Sequence, residues 1–237
     1  MESDKAPGWV PLWVRVDGSK CLVVGGGQVA LRKIKMLLDR GAAIEVVAKR
    51  ACEGVRRLAQ DGRIALRMES VRQSHLRGAR LVVVATDDSI VNQQVSNWAQ
   101  REGILCNVVD KPELCTAVFP AVLSRGRLEV AVSTGGSSPA MAARIRDGIA
   151  RFLGPGYEAA LEILGQVRAR VKAMDIAEGS RSRILRSLVD QELVGACERG
   201  DLAKIREMIQ SRLDRAMAQE SGAGQASPAQ TGRKDAD

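Results

Sequence analysis

The stretch Cys21-Leu22-Val23-Val24-Gly25-Gly26-Gly27-Gln28-Val29-Ala30 constrains the fold more than any other part of the chain. A short apolar run ends in a G-x-G-x-x-A pattern and passes directly into Val29–Arg40, where Val29, Ile34, Leu37 and Leu38 recur at helical spacing. A strand, a tight glycine turn and a helix form the unit that holds a dinucleotide pyrophosphate. Gly25 permits the turn, Gly27 lets backbone approach a phosphate, and Ala30 allows close helix–strand packing. The free N–H groups and positive dipole end of the helix then face the anion. A glycine-rich turn in a flavodoxin-like sheet is the alternative; the flanking strand and helix supply the context that the dinucleotide motif requires.

The same alternation continues to about residue 110. Strands are expected at Leu12–Val16 and Lys20–Val24, joined as a hairpin through Asp17-Gly18, and at Ile44–Ala48, Ile64–Met68, Leu81–Ala85 and Ile104–Val109. Helices are expected at Glu53–Gln60 and Asp88–Glu102, with Gly41 closing the first helix. Leu81–Ala85 reads LVVVA, apolar on both faces, as in a buried parallel strand. Strands alternating with helices imply a Rossmann-like parallel sheet.

After Pro112 the pattern changes. Ala117–Leu123 and Leu128–Ser133 read as two strands about the turn Ser124-Arg125-Gly126-Arg127. A helix follows from Pro139 to Leu153, with Ser138 as its cap. Helical periods then cover Tyr157–Met174, Ser180–Arg199 and Leu202–Met217, and the small polar tail from Ser221 reads as disordered. The expected fold class is therefore α/β, with a Rossmann-like parallel sheet domain over 1–112. A small α+β region over 113–153, an all-helical region over 154–220 and a tail over 221–237 follow. The apolar strands at 117–133 have little neighbouring sequence to cover them. That suggests burial against a second subunit, the alternative being cover by the C-terminal helices.

Bulk properties narrow the function. No run of 18 apolar residues and no signal-like N-terminus occur, so a cytoplasmic protein without a membrane span is expected. The five cysteines form no C-x-x-C pair and read as reduced, small buried groups. The single histidine, His75, lies in the polar stretch RQSHLRG and reads as a solvated loop residue. No metal site is expected from this set. A net charge of +8 points to an anionic partner or to a solvated basic surface, but aromatic residues are only 3% and basic residues are scattered. That argues against nucleic acid and for an acidic small molecule.

Three further motifs carry candidate chemistry. Thr86, in Val84-Ala85-Thr86-Asp87-Asp88, falls at a strand's carboxyl end, where cofactors of open α/β sheets bind; the two aspartates read as helix caps. Asp110, in Asn107-Val108-Val109-Asp110-Lys111-Pro112, sits where a carboxylate can act as a general base or bind a metal ion; a turn-capping aspartate is the equal alternative. Ser133-Thr134-Gly135-Gly136-Ser137-Ser138-Pro139 opens a helix as an anion site, or as an ordinary cap that needs only Ser138. The acid expected for the adenosine ribose is missing: Glu45 lies within its strand, and Lys49 and Arg50 follow it. The choice between NAD and NADP stays open on that motif.

VVGGGQVALRK (23–33), VVVATDD (82–88), CNVVDKPELCTAVFPA (106–121) and VAVSTGGSSPAMAARIR (130–146) together resemble the precorrin-2 dehydrogenase/sirohydrochlorin ferrochelatase family, over about residues 10–150. That family includes the N-terminal half of multifunctional siroheme synthase. The resemblance implies NAD as cofactor, precorrin-2 as tetrapyrrole substrate, a homodimer, and Asp110 as the catalytic residue. It implies a cofactor set of Gly25, Gly26, Gly27, Gln28, Val29, Ala48, Thr86, Asn107 and Val109. The implied substrate set is Thr134, Gly135, Gly136, Ser137, Ser138 and Arg144. Arg125, Arg127, Arg146 and Lys111 are further carboxylate partners on charge and position. Some members of the family also insert Fe²⁺ or Co²⁺. A nucleotide-sensing module without catalysis is the rival reading.

Overall fold

The computed structural model describes residues 8–223. Within them the chain forms two compact units, divided between Phe119 and Pro120.

The first unit is a parallel sheet of five strands: β1 (Lys20–Val24), β2 (Ala43–Val47), β3 (Ala65–Arg67), β4 (Leu81–Val84) and β5 (Leu105–Val108). Their order is β3-β2-β1-β4-β5. The apolar strands Leu22–Val24 and Leu81–Val84 are buried because helices cover both faces. α1 (Gln28–Leu38) and α2 (Glu53–Gln60) pack through Ala30, Ile34, Leu37 and Val55 onto Cys21, Val23, Val46 and Val83. α3 (Ser89–Arg101) packs through Val95 and Ala99 onto Leu22, Val24, Val82 and Val84. Register aligns Val47, Val24, Val84 and Val108 as neighbours across the sheet. The loops that leave β2, β1, β4 and β5 therefore emerge side by side at one edge.

The expected hairpin does not form. The Asp17–Gly18 turn is present, with Ser19 N–H donating to Val16 O at 2.9 Å, but Gly18 N–H turns to Gly41 O and Leu12–Val16 is not a strand. The reason is topological: β1 is central, and both of its edges are taken in parallel by β2 and β4. His75 also departs from its expected place. Its side chain is only 10% exposed, since Nδ1 accepts from Arg72 N–H at 2.9 Å and Nε2 lies 3.3 Å from Glu69.

The second unit starts with an antiparallel pair, β6 (Ala121–Arg125) and β7 (Leu128–Val132), followed by α4 (Pro139–Phe152). β6 begins four residues later than expected because Thr116 and Ala117 N–H groups return to Cys106 O. Leu123, Val130 and Val132 share the half-buried sheet face, whereas Val122 and Ala131 stand opposite each other and exposed. α5 (Gly156–Lys172), α6 (Glu178–Ser187), α7 (Gln191–Arg199) and α8 (Leu202–Ala223) enclose Val171, Ile184, Leu188, Leu193, Ile205 and Ile209. The single helix expected at Ser180–Arg199 is two, because Asp190 stops one and caps the next, accepting from Leu193 N–H at 2.9 Å. α8 extends beyond Met217 to Ala223, past the expected start of the tail; residues 224–237 lie outside the described residues. Among the described residues no helix is long and apolar enough to cross a membrane.

Candidate active site

The glycine loop sits where the strand order reverses, between β1 and β4, the position at which open α/β sheets bind ligands. Its three glycines have different duties. Gly25 has φ +114°, and a Cβ there would stand 2.2 Å from Ala85 O. Gly26 is equally crowded, 2.4 Å from Arg50 O, and its carbonyl accepts from Cys52 N–H at 2.8 Å. Around Gly27 a Cβ would meet nothing within 4 Å. Two glycines thus press the loop against its neighbours, and the third leaves open space at the start of α1.

That helix start is built for an anion. Gly27 is its cap residue, no side chain caps it, and its first turn has no acidic residue. By contrast, Asp88 caps α3 by accepting from Ile90 and Val91 N–H, and Ser138 caps α4 by accepting from Met141 N–H. Gln28 is exposed and Val29 half-buried on this first turn. The open space at Gly27 and the uncapped turn fit a dinucleotide pyrophosphate.

At the next loop Thr86 donates to Asn92 Oδ1 at 2.6 Å, and Asn92 Nδ2 returns to Thr86 O at 3.1 Å. Asn92 is 4% exposed, so this pair fixes the loop from inside. Sequence reasoning missed Asn92; the signal was a polar residue among Val91 and Val95 on the apolar face of a helix.

After β5 the chain makes a four-residue turn, closed by Lys111 N–H to Val108 O at 3.2 Å. Its third residue is Asp110, exposed, with φ 58°. Among the described residues no other non-glycine has positive φ. A left-handed backbone at a non-glycine residue costs about 1 kcal/mol. Cys115, also missed, stabilises the turn from below. Its thiol lies 3.3 Å from both Val108 O and Lys111 O, and Val108 N–H donates to it at 3.2 Å. Burial pushes that thiol up, against the hydrogen bond from Val108. Its neighbour Cys106, fully buried, is pushed up to about 12 by desolvation first and Cys115 second. Asn107 donates to Ala117 O at 3.0 Å and Cys115 Sγ at 3.7 Å, tying the returning segment to β5. Val109 is half-buried on the α1 face of the sheet.

Lys33 of α1 is the third residue that sequence reasoning missed, and no local pattern marks it. Its ammonium lies 4.1 Å from the centroid of the Phe119 ring. Burial first, then Arg32, push its pKa down, and the Asp110 carboxylate draws it back up. A partly desolvated cation therefore faces the field of Asp110.

Ala48, after β2, is buried and donates its N–H to Arg67 O. Glu45 is held by Lys20 at 2.9 Å and by Arg67 of the neighbouring β3, so it is not free for a ribose.

In the second unit, Thr134 Oγ1 accepts from Ser138 N–H at 3.0 Å and donates to Ser138 O at 3.1 Å, closing the loop before α4. Gly135 and Gly136 have φ 63° and 89° and are exposed, as is Ser137. Arg144 is exposed on α4, Arg146 pairs with Asp147 at 2.7 Å, and Arg125 is committed to Ala150 O at 2.8 Å. Lys111 and Arg127 are exposed.

A parallel sheet of this order, with a glycine loop and an uncapped helix at its switch point, defines a dinucleotide-binding protein of the Rossmann class. Residues 12–121 match the family described as "Putative NAD(P)-binding", and residues 125–151 match "Sirohaem biosynthesis protein central". The chain belongs to the precorrin-2 dehydrogenase/siroheme synthase family. It is 36% identical over 214 residues to siroheme synthase of Pseudomonas entomophila (strain L48), covering 90% of this chain and 46% of the relative. To siroheme synthase of Methylococcus capsulatus (strain ATCC 33009 / NCIMB 11132 / Bath) it is 40% identical over 164 residues, covering 69% and 35%. The chain thus spans less than half the length of these relatives. The solved structure of "SirC, precorrin-2 dehydrogenase" matches with a TM-score of 0.71 and 28% identity, covering 86% of this chain and 98% of that one.

Proposed function

We propose that this chain oxidises precorrin-2 to sirohydrochlorin, with NAD⁺ as the hydride acceptor and Asp110 as the proton acceptor. The substrate loses one hydride and one proton, and the products are sirohydrochlorin, NADH and H⁺. Gly25, Gly26, Gly27, Gln28 and Val29 hold the pyrophosphate; Ala48, Thr86, Asn107 and Val109 contribute the remaining cofactor contacts. Bound there, a nicotinamide ring supplies the two-electron acceptor. Asp110 receives the proton on its exposed carboxylate, and Lys33 steadies the charge of that carboxylate before transfer. Thr134, Gly135, Gly136, Ser137, Ser138 and Arg144 hold substrate carboxylates through backbone N–H groups, hydroxyls and a guanidinium. The functional protein is a homodimer.

The observation that carries this reading is Asp110 itself. A non-glycine residue kept in a left-handed turn, at the sheet edge that also bears the glycine loop, argues for a need for that carboxylate. The choice of NAD⁺ follows the family relationship. The test is an anaerobic assay of the full chain with precorrin-2 and either NAD⁺ or NADP⁺, followed by absorbance of NAD(P)H and sirohydrochlorin. Stoichiometric NADH and sirohydrochlorin, faster with NAD⁺, are expected. Asp110→Ala lowers turnover at least 100-fold and leaves NADH binding unchanged. Dinucleotide binding without any turnover would make the chain a sensor instead. Adding Fe²⁺ or Co²⁺ once sirohydrochlorin has formed reads metal insertion in the same cuvette.

A further inference from the structure

A cleft of about 630 Å³ lies in the second unit, lined by Arg168 and Lys172 of α5 and by Glu178, Arg181, Ser182 and Arg186 of α6, with Leu185 as its apolar residue. We propose that this cleft is a binding site for a compact polyanion: a small molecule with two or more phosphate or carboxylate groups and no large ring system. The inference is independent of the proposed dehydrogenation.

Charge is the first argument. Four cations and one carboxylate line one cleft, and among the described residues none of those cations has a carboxylate within 4 Å. In the same unit Arg183 pairs with Glu220 at 2.5 Å, and Arg212 with Asp190 at 2.7 Å, so the carboxylates of Glu220 and Asp190 are engaged away from this cleft. Four like charges around one cavity outnumber the single carboxylate of Glu178, and a bound anion relieves the repulsion that remains.

Arg181 is the second argument. Its Nη2 donates to Met174 O at 2.9 Å, which holds the guanidinium in place. Its Nε is buried without a hydrogen-bond partner, the single such side-chain nitrogen or oxygen among the described residues. Arg181 also lies near the start of α6, the positive end of that helix, where a cation is disfavoured. Lys172, in the last turn of α5, is explained by its own helix dipole, and Glu178, in the first turn of α6, by that of α6. Among the described residues the one bond that holds the Arg181 guanidinium is the one to Met174 O, and its Nε is left over.

Composition of the walls selects the ligand. Arginine forks and a hydroxyl bind oxyanions in directional pairs. With no aromatic side chain and one leucine, the walls offer no surface on which a base or macrocycle stacks.

The test is isothermal titration of the full chain at low ionic strength with inorganic pyrophosphate and, separately, with citrate. Saturable binding of either is expected, weakened at least tenfold in R168Q/R186Q, whose side chains are exposed and whose removal leaves the helical core intact. NADH affinity stays unchanged in that variant. Without ligand, R168Q/R186Q melts no lower than the parent, since repulsion has been relieved. Pyrophosphate alone, citrate alone, or both binding identifies phosphate, carboxylate or shared oxyanion chemistry. No binding of either at millimolar concentration overturns the proposal, as does binding that R168Q/R186Q leaves undiminished.

Discussion

At the scale of single residues, adjacent glycines of one motif answer to different forces. Gly25 is required by the protein's own packing, because φ +114° and Ala85 O leave no room for a Cβ. Gly25→Ala is expected to cost about 2–4 kcal/mol of stability, read by urea denaturation. Gly27 is surrounded by open space. Gly27→Ala is expected to fold within about 1 kcal/mol of the parent yet to weaken NADH binding tenfold or more, because the new methyl occupies the phosphate's approach. Equal stability losses in the two variants would refute that division. Asp110 poses the converse case. Asp110→Gly relieves its left-handed turn and is expected to raise the melting temperature by about 2–4 °C while turnover collapses. A residue retained for structure alone would lose nothing but stability when replaced.

At the scale of elements, the sheet carries one charged tie. Glu45 of β2 accepts from Lys20 of β1 and Arg67 of β3, so one carboxylate links three strands. Burial raises its pKa, but the hydrogen bonds from Lys20 and Arg67 outweigh burial and hold it below the ordinary value of 4.5. A carboxylate depressed in the folded state contributes stability above its unfolded pKa and loses it as pH falls through the folded one. The stability advantage of the parent over Glu45→Gln is therefore expected to be complete at pH 6–7 and to shrink below about pH 4.5. Denaturant melts at stepped pH measure it; a gap constant down to pH 3 would exclude the tie. Elements were legible where local chemistry decides them. α2 spans Glu53–Gln60 as its periodicity predicts, and Ser138 caps α4 as its hydroxyl predicts. The hairpin failed because pairing partners are chosen by the whole sheet.

At the scale of the molecule, the second unit leaves apolar surface exposed. Val122 is 41% exposed on β6, and Met141, Ile145 and Phe152 mark one stripe of α4, Phe152 at 78%. α4 covers the other side of the β6–β7 pair, so the expectation of burial against a second copy now rests on this remaining surface. Phe152→Glu is expected to fold normally and to shift the protein from dimer toward monomer in light scattering. A dimeric parent whose mass Phe152→Glu leaves unchanged would refute this face as the contact, and a monomeric parent would refute the proposed dimer.

The amino-acid sequence alone determined the alternation of strands and helices, the glycine loop, and the carboxylate two residues beyond β5, because each depends on neighbours a few positions away. Only the tertiary structure decided that Val47, Val24, Val84 and Val108 stand in line, so that the four following loops share one edge. It likewise decided that Asn92, Cys115 and Lys33 brace that edge, and that His75 is enclosed rather than solvated. These are contacts between distant segments, and no local period encodes which side chain will meet which.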